Sequence, residues 1–359
     1  MKNAILQFDQ SRIPEGLTQS RYPSNEKQII PPFSLFWIAM LHDYRQIGSD
    51  TAFVRPLLPG VTAVLNWHRQ YVGGQQLLVK MPYWNFVDWP SAWPWTGKEE
   101  TSGIPPGTLE GKSSILTLQY VYALKLSADL YRGYGYTKEA LAAETEAARI
   151  GKAVYQLCWD KDRKRLADTP DKNVFSQHAN ILAALTDIGP NEYNFLDNRE
   201  LLINIENDSS LIPCTLYYRF YLARALQQLQ AGERYLGLLK DWYNMLDLGL
   251  TTFAERPEPT RSDCHAWSAS PLYDLLATVA GITPASSGFN SVRIAPELAG
   301  LDWLDVAMPH PKGEIKLKLE KKDGRLKGNA ILPRGVSGRF YWNEKILDLQ
   351  GGTNRIDIL

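Results

Sequence analysis

Cysteine is scarce in this chain: three residues in 359, Cys158, Cys214 and Cys264. So few and so scattered cannot build a disulfide framework, and none has a neighbour at metal-ligand spacing, so all three are expected as small buried side chains. An excess of charge is missing too. Lys plus Arg and Asp plus Glu both number 39, which argues against a nucleic acid or an anionic membrane as partner, since those select a basic excess or a clustered basic face. No apolar run reaches the roughly 18 residues of a membrane helix, and the apolar part of MKNAILQFDQ is too short for a signal peptide. No cofactor or metal is expected. Compartment and oligomeric state are not written in these features.

What the chain does have is aromatic. It carries 11 Trp, 18 Tyr and 11 Phe, and WNFVDWPSAWPW places four Trp between Trp84 and Trp95 in a segment too rich in Pro for a helix. Flat apolar rings with a polar edge suit sugars, whose C–H faces stack on aromatics while their hydroxyls need hydrogen bonds. The plainer alternative is that these rings seal the end of a helical core.

From Pro32 to about Gly281 the pattern is helical and strand signals are nearly absent. FSLFWIAMLHDYRQIG sets Phe33, Phe36, Trp37, Met40, Leu41 and Tyr44 at three- and four-residue spacing, with Gly48 as a stop. Similar runs follow over Asp50–Val72, Ser113–Tyr131, Thr137–Trp159, Asn173–Ile188, Arg199–Glu206, Thr215–Gln230, Glu233–Leu248 and Ala269–Ala280. Many helices joined by alternately short and long loops point to helical hairpins in a bundle, solenoid or toroid. No repeat is visible, which weakens the solenoid. After Gly288 the period changes. EIKLKLEKK alternates apolar with charged residues, Asp323-Gly324 signals a hairpin turn, and GRFYW and NRIDI read as further strands. The alternating Lys residues are expected to form a solvated face.

Three places carry candidate chemistry. In TTFAERPEPTRSDCHAW, a helix over Asp241–Leu248 ends at Gly249, and a polar segment then exposes Thr251, Thr252 and Glu255. A carboxylate there can act as general base on water, or it can simply pair with Arg256 or Arg261. His265 and Trp267 would bring an imidazole and an indole to the same rim, enough to hold a polar ring. Cys264 has no second His nearby in sequence, which argues against a nucleophile. In NFVDWP, Asp88 can accept hydrogen bonds from vicinal hydroxyls while Trp89 covers a C–H face, or it can cap a turn before Pro90. Arg12, Glu15 and Arg21 lie in a segment without helical period that either lines a cleft or connects exposed charges.

DQSRIPEGLTQSRYPS, IPPFSLFWIAMLHDY, WNFVDW and above all GLTTFAERPEPTRSDCHAWSASPLYDLLATVAGI resemble, in order, the second half of the α-L-rhamnosidases of glycoside hydrolase family 78. The resemblance spans nearly the whole chain. It implies a mainly α fold, an incomplete (α/α)6 six-hairpin toroid over residues 1–287, followed by a small antiparallel β-sandwich-like domain over residues 288–359. It implies inverting hydrolysis of terminal α-L-rhamnosides, with Glu255 as general base and His265, Asp88, Trp89 and Trp37 contacting the sugar. The family's general acid lies ahead of the segment that opens this chain, so it is expected to fall outside it, as in a fragment or a member that has lost the acid. An inverting pair holds its carboxyl groups roughly 6.5 to 9.5 Å apart to admit water. A carbohydrate partner is therefore expected; a non-catalytic carbohydrate-binding protein of the same architecture, or a six-hairpin lyase using Tyr and His, would carry much of the same aromatic inventory.

Overall fold

MKNAILQF, short as it is, forms helix α1 (Lys2–Gln10) with Ile5 fully buried. The chain then runs through α2 (Pro31–Ile47), α3 (Leu58–Arg69), α4 (Ser114–Gly133), α5 (Thr137–Cys158), α6 (Gln177–Thr186), α7 (Leu216–Gln228), α8 (Lys240–Asp247) and α9 (Pro271–Asp274). These helices belong to a computed structural model that describes residues 1–188, 201–202, 205–257, 259–260 and 262–359. The run expected over Arg199–Glu206 falls largely outside the described residues.

Of the face expected on α2, Trp37, Leu41 and Tyr44 are buried while Phe33, Phe36 and Met40 are only half-buried, and the buried side extends instead through Leu35 and Ile38; the first turn opens on two prolines that need no intrahelical N–H partner. Helix α4 is buried nearly all round, as befits a sequence with no charged stripe until Lys125. Ser113 caps it by accepting a hydrogen bond from the amide of Leu116. It packs on α3, α5 and α6. The chain divides into two compact units, Met1–Tyr44 with Ala52–Tyr218, and Arg45–Thr51 with Arg219–Leu359.

Two helical runs are less regular than their period predicts. The stretch expected over Glu233–Leu248 is a 3-10 segment, Gly232–Leu239, followed by α8, which ends before Gly249 at φ 74°. The run over Ala269–Ala280 becomes the short α9 and a π-helical turn, Leu275–Val279, preceded by a 3-10 turn over Ala266–Ser268. A tiny hairpin, β1 (Trp159–Asp160) with β2 (Arg165–Leu166), interrupts the helical region. Cys158 and Cys214 are buried, but Cys264 is exposed, against expectation; it sits on the polar loop where no core reaches it.

The second unit holds two four-stranded sheets. One has the order β3 (Ile282–Pro284), β4 (Ser291–Ile294), β8 (Ser337–Trp342), β9 (Lys345–Leu349); the other β10 (Gly352–Ile358), β7 (Arg325–Leu332), β6 (Gly313–Lys322), β5 (Trp303–His310). All pairs are antiparallel except β4 with β8, a crossover that alternation along a strand does not reveal. Ile315, Leu317 and Leu319 are buried while Lys316 and Lys318 are exposed, so the period-two reading sets the inner face. Asp323 and Gly324 both have positive φ, 50° and 75°, the conformation that a two-residue hairpin turn requires. Phe289, Phe340, Ile294, Leu326 and Ile356 belong to one core filled from both sheets.

Candidate functional site

Glu255 sits in the second unit on a loop held by its own backbone. The amide of Glu255 donates to the carbonyl of Ser262 (3.1 Å), and the amide of His265 donates to the carbonyl of Phe253 (2.7 Å), so the segment folds back like a wide hairpin. The indole of Trp267 donates to the carbonyl of Glu255 (2.9 Å). Ser268 Oγ, fully buried, donates to the carbonyl of Ala254 (2.6 Å). Ser268 is fixed in turn, because the Trp242 indole of α8 donates to its carbonyl (2.7 Å). Arg219 of α7 pairs with Asp241 (2.6 Å) and lies over the Trp242 ring, 5.6 Å from its centroid. Backbone bonds and two indoles thus hold Glu255 in register with a helical frame.

The carboxylate is not exposed as the polar sequence around it suggests. Glu255 is only 4% exposed, and the resulting low dielectric strengthens whatever charge it meets. Arg256 points elsewhere, its Nε donating to the carbonyl of Pro259 (3.1 Å); Arg261, the other expected partner, lies outside the described residues. His265 is half-buried, with Nδ1 3.2 Å from Ser262 Oγ and its ring 4.3 Å from that of Trp267 at 51°. The structure therefore brings Glu255, His265 and Trp267 together on one loop, while Cys264 beside them faces solvent. Thr252 Oγ1 donates to the carbonyl of Asp263 and closes the base of the loop.

In the same unit Asp274 is 1% exposed and accepts a hydrogen bond from Tyr235 Oη (3.2 Å). Burial pushes its carboxyl up to about 7, against hydrogen bonds from Ser270 and Tyr235 and the charge of Arg224. Sequence reasoning missed Asp274, because it stands inside an apolar run and reads there as a helix surface.

Asp88 lies in the first unit, and the structure corrects the reading that its oxygens face a sugar. It is fully buried. Its Oδ1 accepts from the amide of Trp89 (2.8 Å) and from Thr215 Oγ1; its Oδ2 accepts from the amide of Thr215 (2.9 Å) and meets Nε2 of the equally buried His178 at 2.7 Å. The turn-capping alternative is present, extended into a cross-link of the Trp-rich loop to α6 and to the start of α7. The imidazole of His178 is packed against Trp93 and Tyr218 at 4.6 and 4.5 Å. Neither His178 nor Thr215 was legible as a partner, since each lies about 90 or more residues along the chain.

Trp37 is likewise no open stacking surface. It is 1% exposed, its indole donates to the carbonyl of Ile5 (3.1 Å), and the Arg12 guanidinium covers its ring at 4.4 Å. Arg12 thereby leaves the candidate cleft lining for a structural place, while Arg21 pairs on the surface with Glu26 (3.1 Å) and Glu15 accepts from Tyr83 Oη (3.2 Å). Trp89, by contrast, is half-buried and central to a set of rings: Phe86 at 4.9 Å, Trp84 at 6.1 Å and Trp95 at 6.4 Å. Phe33 meets Phe86 at 5.9 Å and Tyr217 at 6.4 Å, which carries the aromatic surface onward. Trp95 is 57% exposed at its outer end. Among the described residues no group of three or more His, Cys, Asp or Glu side chains is arranged to hold a metal ion, and no helix is long and apolar enough to cross a membrane.

Residues 281–355 match the family model of the bacterial alpha-L-rhamnosidase C-terminal domain. No curated protein matches the sequence. Among solved structures, the chain is similar to the GH78 family rhamnosidase of Bacillus sp. GL1, with 23% identity and a TM-score of 0.74 over 89% of this chain and 34% of that one. It is similar to the alpha-L-rhamnosidase from Dictyoglumus thermophilum, with 14% identity and a TM-score of 0.79 over 99% of this chain and 43% of that one. A third is the Streptomyces avermitilis alpha-L-rhamnosidase complexed with L-rhamnose, at 16% identity and a TM-score of 0.74, covering 99% and 36%. The chain spans well under half the length of each of these three proteins. The resemblance to family 78 is thus met by the family model over the C-terminal domain and by the fold over the rest.

Proposed function

We propose, from a C-terminal domain of the bacterial α-L-rhamnosidase type and a fold shared with family 78 enzymes, that this chain is a glycoside hydrolase part acting on terminal α-L-rhamnosides. The helical region is read as part of an (α/α)6 toroid. The observation that carries the chemistry is Glu255: a 4% exposed carboxylate whose backbone is held by Ser262 and Trp267 and whose loop also presents His265. Glu255 takes a proton from water as that water attacks the anomeric carbon from the face opposite the leaving group, which inverts configuration. His265 and the Trp267 ring contact the sugar. Taken by itself, the first unit offers the half-buried Trp89, with Trp84 and Trp95 beside it, as a ring on which a sugar can stack. Asp88 acts through Trp89, whose amide it accepts, and Trp37 supports the scaffold.

Protonation of the leaving group needs a second, acidic group, and this reading assigns that role to none of the described residues. A nitrophenyl rhamnoside, whose phenolate leaves without a proton, is therefore expected to be turned over by the chain, and an alkyl rhamnoside to react about 10^2 to 10^4 times more slowly. Glu255→Gln is expected to remove the nitrophenyl activity while the melting temperature stays put. Activity unchanged in that variant removes Glu255 from the mechanism. Rhamnose binding in calorimetry with no turnover of either substrate makes the chain a carbohydrate-binding protein instead.

A further inference from the structure

The outward face of the sheet β5–β6–β7–β10 carries a feature that neither the core nor the hydrolytic reading uses. Trp303, on the edge strand β5, is 67% exposed. Cross-strand register puts it beside Glu320, Glu320 beside Lys327, and Lys327 beside Asp357. The next row on the same face reads Asp305, Lys318, Asn329, Arg355. In the first row acids and bases alternate, and in the second Asp305 and Lys318 are followed by the neutral Asn329 and by Arg355, so that acceptors and donors stand about 5 Å apart across the strands. At the Trp303 end of these rows, short of Asp357 and Arg355, lies an open depression of about 840 Å3 whose lining includes Trp303, Lys318, Glu320, Lys327, Asn329 and Asp302.

A solvated sheet face explains the alternating charges, which pair across strands, as Lys318 does with Asp305 at 3.4 Å. It does not explain an indole left in water at the head of the row, the residue type with most to gain from being covered. Mixed signs at this spacing disfavour an ion of either charge and favour a ligand whose every group both donates and accepts. A polyhydroxyl ring does that, and its C–H face fits the indole. The volume lies within the range of small-molecule sites.

We infer that this face is an oligosaccharide-binding site, with Trp303 as the stacking platform and Glu320, Lys327 and Asn329 bonding the hydroxyls. It shares no residue with the Glu255 loop and does not depend on the hydrolytic reading. Its role would be to hold a glycan chain on the C-terminal domain.

The test is affinity electrophoresis of the full chain through native gels containing rhamnogalacturonan, arabinoxylan or a mixed-linkage β-glucan, with dextran sulfate as a charge control. Retardation by at least one of the three glycans is expected, weakened about tenfold or more in Trp303→Ala, largely kept in Trp303→Tyr, and unaltered in Glu255→Gln. The last variant separates this site from the proposed active site, whose own failure is read from nitrophenyl rhamnoside turnover. Because Trp303 is exposed, Trp303→Ala should melt with the parent; Lys327→Ala, weakening binding without touching the indole, provides a second reading. No retardation by any of the three glycans, retardation unchanged in Trp303→Ala, or retardation by dextran sulfate alone overturns the inference. So does concentration-dependent self-association in sedimentation that Trp303→Ala abolishes, because the face would then belong to a second copy of this chain.

Discussion

Trp267 does its work through one bond. Its indole N–H reaches the carbonyl of Glu255 at 2.9 Å, so replacing it by Phe keeps a ring beside His265 and removes the donor. A single net hydrogen bond is worth about 1 kcal/mol, so Trp267→Phe should lower turnover of a nitrophenyl rhamnoside by roughly fivefold, mainly in kcat, with a small fall in melting temperature. A rise in KM alone would point to lost stacking instead. At Trp89 the expected loss is in binding: Trp89→Ala should weaken rhamnose by about 1 to 3 kcal/mol in calorimetry with little change in melting. An unchanged dissociation constant would return Trp89 to the core of its aromatic neighbours. Asp274 titrates where neither of these does. Burial pushes its carboxyl up to about 7, above the unfolded value of about 4, so the native state holds a proton that the unfolded chain has released. Stability from this group is therefore full below about pH 4 and declines as pH rises towards 7. Asp274→Asn, which stays neutral, should raise the melting temperature at pH 8 and leave it nearly unchanged at pH 4. A lower melting temperature at pH 8 would show that the ionised carboxylate is held favourably, by Arg224.

At the scale of elements, two joints each depend on a single residue, one through its backbone and one through its side chain. Gly281 links the π-helical turn to β3 with φ 68°, and a Cβ there would stand 1.9 Å from the carbonyl oxygen of Ala295, whose amide bonds back to Gly281 at 3.0 Å. Gly281→Ala combines left-handed strain with a backbone clash, so we expect a loss of at least about 2 kcal/mol in urea unfolding. The Asp88 cross-link is the other joint. Asp88→Asn keeps the shape but leaves the Trp89 amide, the Thr215 amide, the Thr215 hydroxyl and His178 competing for one acceptor oxygen, which should cost about 1 to 3 kcal/mol. Its effect on rhamnose binding should be smaller than that of Trp89→Ala, because the carboxylate itself is out of reach of a sugar.

For the whole molecule, the division into two units bears on how it unfolds. Two units with separate cores need not melt together. Calorimetry is expected to resolve two transitions, Asp88→Asn lowering the one that belongs to the first unit and Asp274→Asn at pH 8 raising the one that belongs to the second. A single transition moved by both variants would show one cooperative unit.

Much of this molecule is legible without coordinates, and the reason is periodicity. The buried face of α2, the stop at Gly249, the inward Ile315, Leu317 and Leu319 and the turn at Asp323-Gly324 all follow from local spacing and from backbone conformations that few residues adopt. Glu255, His265 and Trp267 could be grouped because thirteen residues of one loop hold them together. What spacing does not carry is depth. Asp88 and Trp37 look like ligand contacts in sequence because polar or aromatic residues in Pro-rich surroundings so often are. Only the tertiary structure brings His178 and Thr215 to Asp88 and Arg12 to Trp37, across separations in sequence of up to 127 residues. The same holds for Asp274, an acid in an apolar run that is buried, and for Trp303, an indole in a strand that ends in water. A local pattern states which side of an element turns inward; whether that side meets a core, a partner side chain or open space depends on elements far away along the chain.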